Sequence, residues 1–228
     1  MAVHEGHRER LRDSFLKHGL DNFHEVQALE LLLFYAIPRR DTNPLAHALL
    51  DHFGSLEGIF EASEQELCEV PGIGRNTAAL IRLVPQLVKR SRIAAANEIH
   101  VIRNGKDAAE YLRPRLDTEP EEVALMVCLN SSMEVINCVE LARGTVNAVD
   151  FPIRRLVEIA LKSKAAYVIL SHNHPNGVAQ MSREDDAVTS RVYKALELVG
   201  IHLYDHILVA GGRYASIRDI GGMRLYHF

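Results

Sequence analysis

The chain has 228 residues, 47% of them hydrophobic and 25% charged, a globular balance that excludes a disordered or fibrous protein and supplies apolar material for one large domain or two small ones. The formal charge of −4 is shared evenly, with 11 Lys+Arg against 13 Asp+Glu in residues 1–92 and 15 against 17 in 93–228, so neither half is a basic tail or a basic domain. The apolar runs at 31–37 and 165–170 fall far short of the roughly 18 residues of a membrane helix, the start MAVHEGHRER is charged rather than secretory, and Cys68, Cys128 and Cys138 contain no CxxC. The expectation is a cytoplasmic protein that uses neither a membrane nor disulfides.

The first ninety or so residues read as short helices. Val26, Leu29, Leu32 and Leu33 recur at helical spacing. Asn43 as N-cap and Pro44 as first helical residue predict a helix over 44–53, which Gly54 stops. Ser63 and Glu66 form a capping-box start. The helix they open runs into Val70-Pro71-Gly72-Ile73-Gly74, where proline and two glycines force a tight turn before a second helix from Arg75 to about Arg90.

Past Ser91 an Ala-rich stretch, Ala94 to Ala96, leads into alternating apolar residues, which places a helical domain at 1–92, a linker at 93–102 and a second domain at 103–228. Glu122 to Leu129 and Met133 to Leu141, joined by Asn130-Ser131-Ser132, suit a β-hairpin. Ile153 to Leu161 marks a helix, Ala165 to Ser171 a buried strand, and Ser182 to Val199 a long helix that Gly200 ends. Ile201 to Ala210 and Tyr214 to Ile217 read as a last hairpin, so the second domain is α/β with a mixed sheet.

Directly after the buried strand comes Ser171-His172-Asn173-His174-Pro175. Period-two alternation sends His172 and His174 to one side and Asn173 to the other, so two imidazoles converge at a strand end. A bare HxH is more often a polar loop than a metal site. Eleven residues on, Asp185 is open to a capping reading with Ser182, yet it also lies on the stripe of Val188, Val192, Leu196 and Val199, where an unpaired carboxylate is costly. A metal ion relieves that cost. His172, His174 and Asp185 make the three-ligand set of a hydrolytic zinc, which keeps one position for water. Glu140, on the strand face of Ile136 and Cys138, is the candidate general base, with Glu134 and Glu158 as solvent-facing competitors. Ser182, at a helix N-terminus, is the candidate donor to a developing oxyanion.

Glu140, then His172-Asn173-His174-Pro175, then Ser182-x-x-Asp185 resembles the JAMM (MPN+) metalloprotease motif. GTVN at 144–147, SHNHPNG at 171–177, SREDD at 182–186 and LYDHILV at 203–209 look like the bacterial RadC family, and the helical first half, with ELLLFYAIPRRDTNPLAHALL and EVPGIG, is similar to that family's N-terminal part. The resemblance implies an α/β, mixed-sheet JAB/MPN+ domain with cytidine-deaminase-like layering behind a small all-α domain. It implies one zinc per chain on His172, His174 and Asp185, with Glu140 activating water and Ser182 helping the oxyanion. The implied reaction is hydrolysis of a peptide, isopeptide or other amide. Asn176 stands where relatives often carry serine.

Val70-Pro71-Gly72-Ile73-Gly74 before Arg75 also resembles a helix-hairpin-helix, whose glycine-rich N–H groups meet a DNA phosphate without reading sequence. Gly72, Gly74 and Arg75 are its candidate contacts, with Arg82, Lys89 and Arg90 along the following helix. The same hairpin can simply join two packed helices, and a charge of −2 over this half leaves both readings open. The rival to a hydrolase is therefore a DNA-binding accessory protein in repair or recombination whose metal site is structural or idle. His202 and His206, bracketing Tyr204 at period two, are expected on one face, with His206 packing or supporting a ligand rather than binding metal.

Overall fold

Capping signals and apolar spacing dictate the helices of the first half. The computed structural model describes residues 2–144 and 151–222. Helices α1 (Ala2–His18), α2 (Glu25–Ala36), α3 (Asn43–Phe53), α4 (Leu56–Glu61), α5 (Glu64–Glu69) and α6 (Arg75–Ala96) come first. They are followed by α7 (Gly105–Leu116), β1 (Val123–Leu129), β2 (Val135–Arg143), α8 (Ile153–Lys162), β3 (Tyr167–Asn173), α9 (Arg183–Glu197), β4 (His202–Ala210) and β5 (Arg213–Ser216). The chain divides into two compact units, residues 1–88 and 89–228. Ala94 to Ala96, read from sequence as the start of a linker, continue α6, as the strongest helix-forming residue should.

Residues 1–88 bury Leu29, Leu33, Leu49, Ile59, Leu67 and Ile81 in one core. Ser63 and Glu66 close the expected capping box. Asn43 does not cap α3: Thr42 precedes the helix, and the Asn43 amide instead donates to the buried carboxylate of Glu30 at 3.0 Å. At the hairpin Gly72 has φ +97°, a conformation that a side chain would strain.

Residues 89–228 carry a mixed sheet in the order β2-β1-β3-β4-β5. The β1–β2 and β4–β5 hairpins are antiparallel, β1 pairs antiparallel with β3, and only β3 and β4, joined through α9, run parallel. The α7 residues Leu112 and Leu116 cover one face with Val127, Leu129, Ile169 and Ile207. On the other face α8 and α9 bring Leu156, Val188, Val192 and Leu196 against Met126 and Leu170. Central strands buried on both sides read as continuous apolar runs, which is why β1 and β3 do not alternate. Burial of Val188, Val192 and Leu196, each contributing about 2 kcal/mol, fixes the rotation of α9 and so aims its first turn at the end of β3.

Candidate metal centre

β3 delivers the histidines. Hydrogen bonding to β1 and β4 holds it on both edges, and its register sets His172 beside Ala124 on one side and Leu208 on the other. His172 therefore points to the α8/α9 face, and Asn173 points away. The Asn173 side chain ties down the segment before β1, accepting from Val123 N–H at 2.7 Å and donating to the carbonyls of Glu119 and Glu121 at 3.3 and 3.0 Å.

His172 Nε2 and His174 Nε2 lie 3.1 Å apart. Asp185 Oδ1 is 3.0 Å from the first, and Oδ2 is 3.5 Å from the second. His174 Nδ1 lies 3.1 Å from the Val178 carbonyl, which can only accept, so the proton is on Nδ1 and Nε2 presents a lone pair. Asp185 Oδ2 accepts from both Ser182 N–H and Ser182 Oγ–H at 2.8 Å, while Ser182 Oγ accepts from Asp185 N–H at 3.1 Å. Burial would raise the Asp185 pKa, but the hydrogen bond and charge of His172, with the Ser182 donors, outweigh it and hold the carboxyl well below the usual range.

The two imidazole nitrogens lie 3.1 Å apart and the Asp185 carboxylate meets one through Oδ1 at 3.0 Å and the other through Oδ2 at 3.5 Å, near the roughly 3.3 Å spacing of tetrahedral zinc ligands with bonds of about 2.0–2.1 Å. The donor set fits a four-coordinate divalent cation, and two imidazole nitrogens facing each other gain most from one.

Glu122 is the carboxylate that sequence reasoning missed. Its Oε1 lies 3.7 Å from His174 Nε2, and Glu122, His172 and His174 form one group whose ligand atoms lie within 4.8 Å of one another. It precedes β1 in the stretch that Asn173 pins, and it lines the pocket that Ala142, Phe151, Leu170, His172 and Asp185 share. A carboxylate opening a buried apolar strand was the available signal.

Glu140 is not at this site, which corrects the sequence reading. Its carboxylate pairs with Arg143 at 2.9 and 3.1 Å and is exposed. It does share a face with Cys138, but that face is the α7 side, because Glu140 pairs with Leu125 while Ala142 pairs with Ala124 and Leu141 between them is the extra residue of a bulge. Arg143 also holds Glu119, which Lys89 meets as well. Ser182 is beside the site, with its hydroxyl proton engaged by Asp185. GTVN at 144–147 lies, beyond Gly144, outside the described residues.

His202 and His206 do not share a face. Val168 pairs with Leu203 but Ile169 pairs with Asp205, so Tyr204 is an extra residue and the alternation reverses there. His202 stays exposed with Glu197 at 2.8 Å. His206 is buried with Nε2 2.9 Å from His172 Nδ1 and Nδ1 2.7 Å from Thr189 Oγ1. Burial first, then the neighbouring His172 charge, holds its pKa well below the usual value. Asp205, on the α7 side, accepts from Ser216 Oγ–H at 2.6 Å and from two backbone N–H groups, and burial pushes it up to about 6.

Residues 102–223 match the family model of the RadC-like JAB domain. The chain belongs to the RadC family. It is 34% identical to a UPF0758 protein of Fusobacterium nucleatum over 224 residues, 95% of this chain and 97% of the relative. Its second unit thus has the JAB fold, a metallohydrolase-type fold, and residues 44–84 match a SAM-like helix-hairpin-helix tandem. Among the described residues of this RadC-family chain no helix is long and apolar enough to cross a membrane.

Proposed function

We propose that this RadC-family protein is a zinc-dependent hydrolase of amide bonds, peptide or isopeptide, with one zinc per chain held by His172, His174 and Asp185. The supporting observation is the convergence of two imidazole Nε2 atoms and one carboxylate to within 3.0–3.5 Å, with a second carboxylate beside them. Zinc supplies a Lewis acid that polarises a carbonyl and lowers the pKa of water towards neutrality. Glu122 takes the role that the sequence suggested for Glu140. Its half-exposed Oε1 is placed to accept the proton of the attacking water and return it to the leaving nitrogen. Ser182, through two donors, sets the rotamer of Asp185. Metal analysis of the protein purified without added metal tests the reading: about one zinc per chain, lost in Asp185→Ala, supports it, and a folded, metal-free wild type overturns it.

A second reading concerns the helical unit, where the helix-hairpin-helix match favours DNA as a partner. A Cβ added at Gly74 would meet nothing within 4 Å, so the backbone there lies open to a phosphate. Arg75 contributes less positive charge than its position suggests, since its guanidinium pairs with Glu64 at 2.6 Å. Affinity for duplex or branched DNA that falls steeply with salt supports this reading; no affinity at low salt removes it.

A further inference from the structure

Thr189 and His206 stand behind His172 in a chain of hydrogen bonds that starts at a backbone carbonyl. Thr189 Oγ1 lies 2.6 Å from the Asp185 carbonyl, one turn back on α9, and a carbonyl can only accept, so the threonine proton is committed there. Thr189 Oγ1, at 2.7 Å from His206 Nδ1, must then accept, which puts a proton on His206 Nδ1. The other ring nitrogen of His206, Nε2, lies 2.9 Å from His172 Nδ1, and a metal on His172 Nε2 would leave the proton of that ring on Nδ1, so His206 Nε2 presents the lone pair that receives it. His172 therefore holds a proton on Nδ1, which leaves Nε2, beside Asp185 and His174, as the atom that faces a metal.

We propose that Thr189 and His206 are positioning residues that fix the Nδ1–H tautomer of His172 and so prepare its Nε2 to bind the metal. The inference rests on the metal reading of the site. It adds that α9 contributes twice, through the Asp185 carboxylate and, via the Asp185 backbone carbonyl, through the origin of the proton order that reaches His172. His174 has its tautomer set by a backbone carbonyl; His172, deep against β4, has no such partner and depends on side chains. Outer partners of this kind commonly alter metal affinity by 10–100-fold.

Thr189→Val keeps the shape and removes the hydroxyl, leaving His206 free to carry its proton on Nε2 and to force the opposite tautomer on His172. Thr189→Ser keeps the hydroxyl. Long-range proton–nitrogen NMR on the metal-free, histidine-labelled full chain reads the tautomers directly, and chelator competition reads zinc affinity. The expected result is His172 as Nδ1–H in wild type and Thr189→Ser, with a substantial Nε2–H population and zinc affinity about 10–100-fold weaker in Thr189→Val. His172 as Nε2–H in the metal-free wild type, or unchanged tautomer and affinity in Thr189→Val, overturns the proposal. A wild type with His172 as Nδ1–H that binds no zinc would overturn the metal reading while leaving the proton order standing, so the two failures are distinguishable.

Discussion

Glu140 and Ala142 are two residues apart on β2 yet face opposite sides of the sheet, because Leu141 between them has no partner of its own on β1. Glu140 keeps the face of Cys138, which is turned to α7, while the bulge puts Ala142 on the face of His172. The second carboxylate at the pocket, besides Asp185, is Glu122. Glu122→Gln is expected to lower turnover of any amide substrate by about 10²–10⁴-fold while zinc content stays at the wild-type level. Glu140→Gln, at a carboxylate that pairs with Arg143 on the α7 side of the sheet, should leave turnover within about twofold of wild type. Steady-state assays paired with metal analysis check both, and equal losses in the two variants would return the role to neither.

What the sequence made legible was local. The β1–β2 hairpin, the α9 stripe of Val188, Val192 and Leu196, and the convergence of His172 and His174 all follow from spacing within one element. Parity failed at Tyr204, where one extra residue reverses every assignment beyond it and parts His202 from His206, whereas Glu140 kept the face of Cys138 that spacing predicts, a face turned to α7 rather than to the site. Helix α7 went unnamed because Pro114 interrupts its last turn, although Asn104 caps it and Ala108, Leu112 and Leu116 bury along one side. Glu122 was harder to read for another reason. Its nearness to His174 depends on the pairing of Ala124 with His172, a contact between distant parts of the chain that no window of sequence contains.

Asp205 gives the fold a pH signature. Its pKa is pushed up to about 6 from 3.8, so the folded state holds the proton more tightly, and the associated stability is fully present below about pH 4 and lost as pH rises through 6. Asn is a satisfied replacement, since one amide oxygen can accept from His206 and Arg218 N–H while its NH₂ donates to Ser216 Oγ. Relative to Asp205→Asn, the wild type should therefore gain about 1 kcal/mol between pH 7 and pH 5, measured by urea titration of the metal-free protein. A difference that does not change with pH would show that Asp205 titrates normally despite its burial.

The two hairpin glycines should separate on substitution. Gly72 combines φ +97° with a Leu45 methyl 2.7 Å from any added Cβ, so Gly72→Ala is expected to destabilise the helical unit by about 1–2 kcal/mol. Gly74 has neither constraint, and Gly74→Ala should keep or slightly raise stability. Thermal melts followed by circular dichroism decide this. The same pair then serves the DNA reading: a bulkier residue at Gly74 that weakens DNA binding without lowering the melting temperature acts at the phosphate, whereas Gly72 variants confuse binding with folding.

Ser182 closes the capping box of α9 and, with the same hydroxyl, donates to the Asp185 oxygen that faces His174. Removing the hydroxyl loses the N-cap, at about 1 kcal/mol of stability, and frees the carboxylate to leave the two imidazoles. Ser182→Ala should accordingly weaken zinc binding by about tenfold as well as lower the melting temperature, and Ser182→Thr should restore both, because the threonine hydroxyl occupies the same position. Zinc affinity by chelator competition separates this from the role in turnover suggested by the sequence. A donor to a developing oxyanion acts only on the reaction, so a Ser182→Ala protein that binds zinc like wild type and loses only kcat would assign the hydroxyl to the substrate rather than to Asp185.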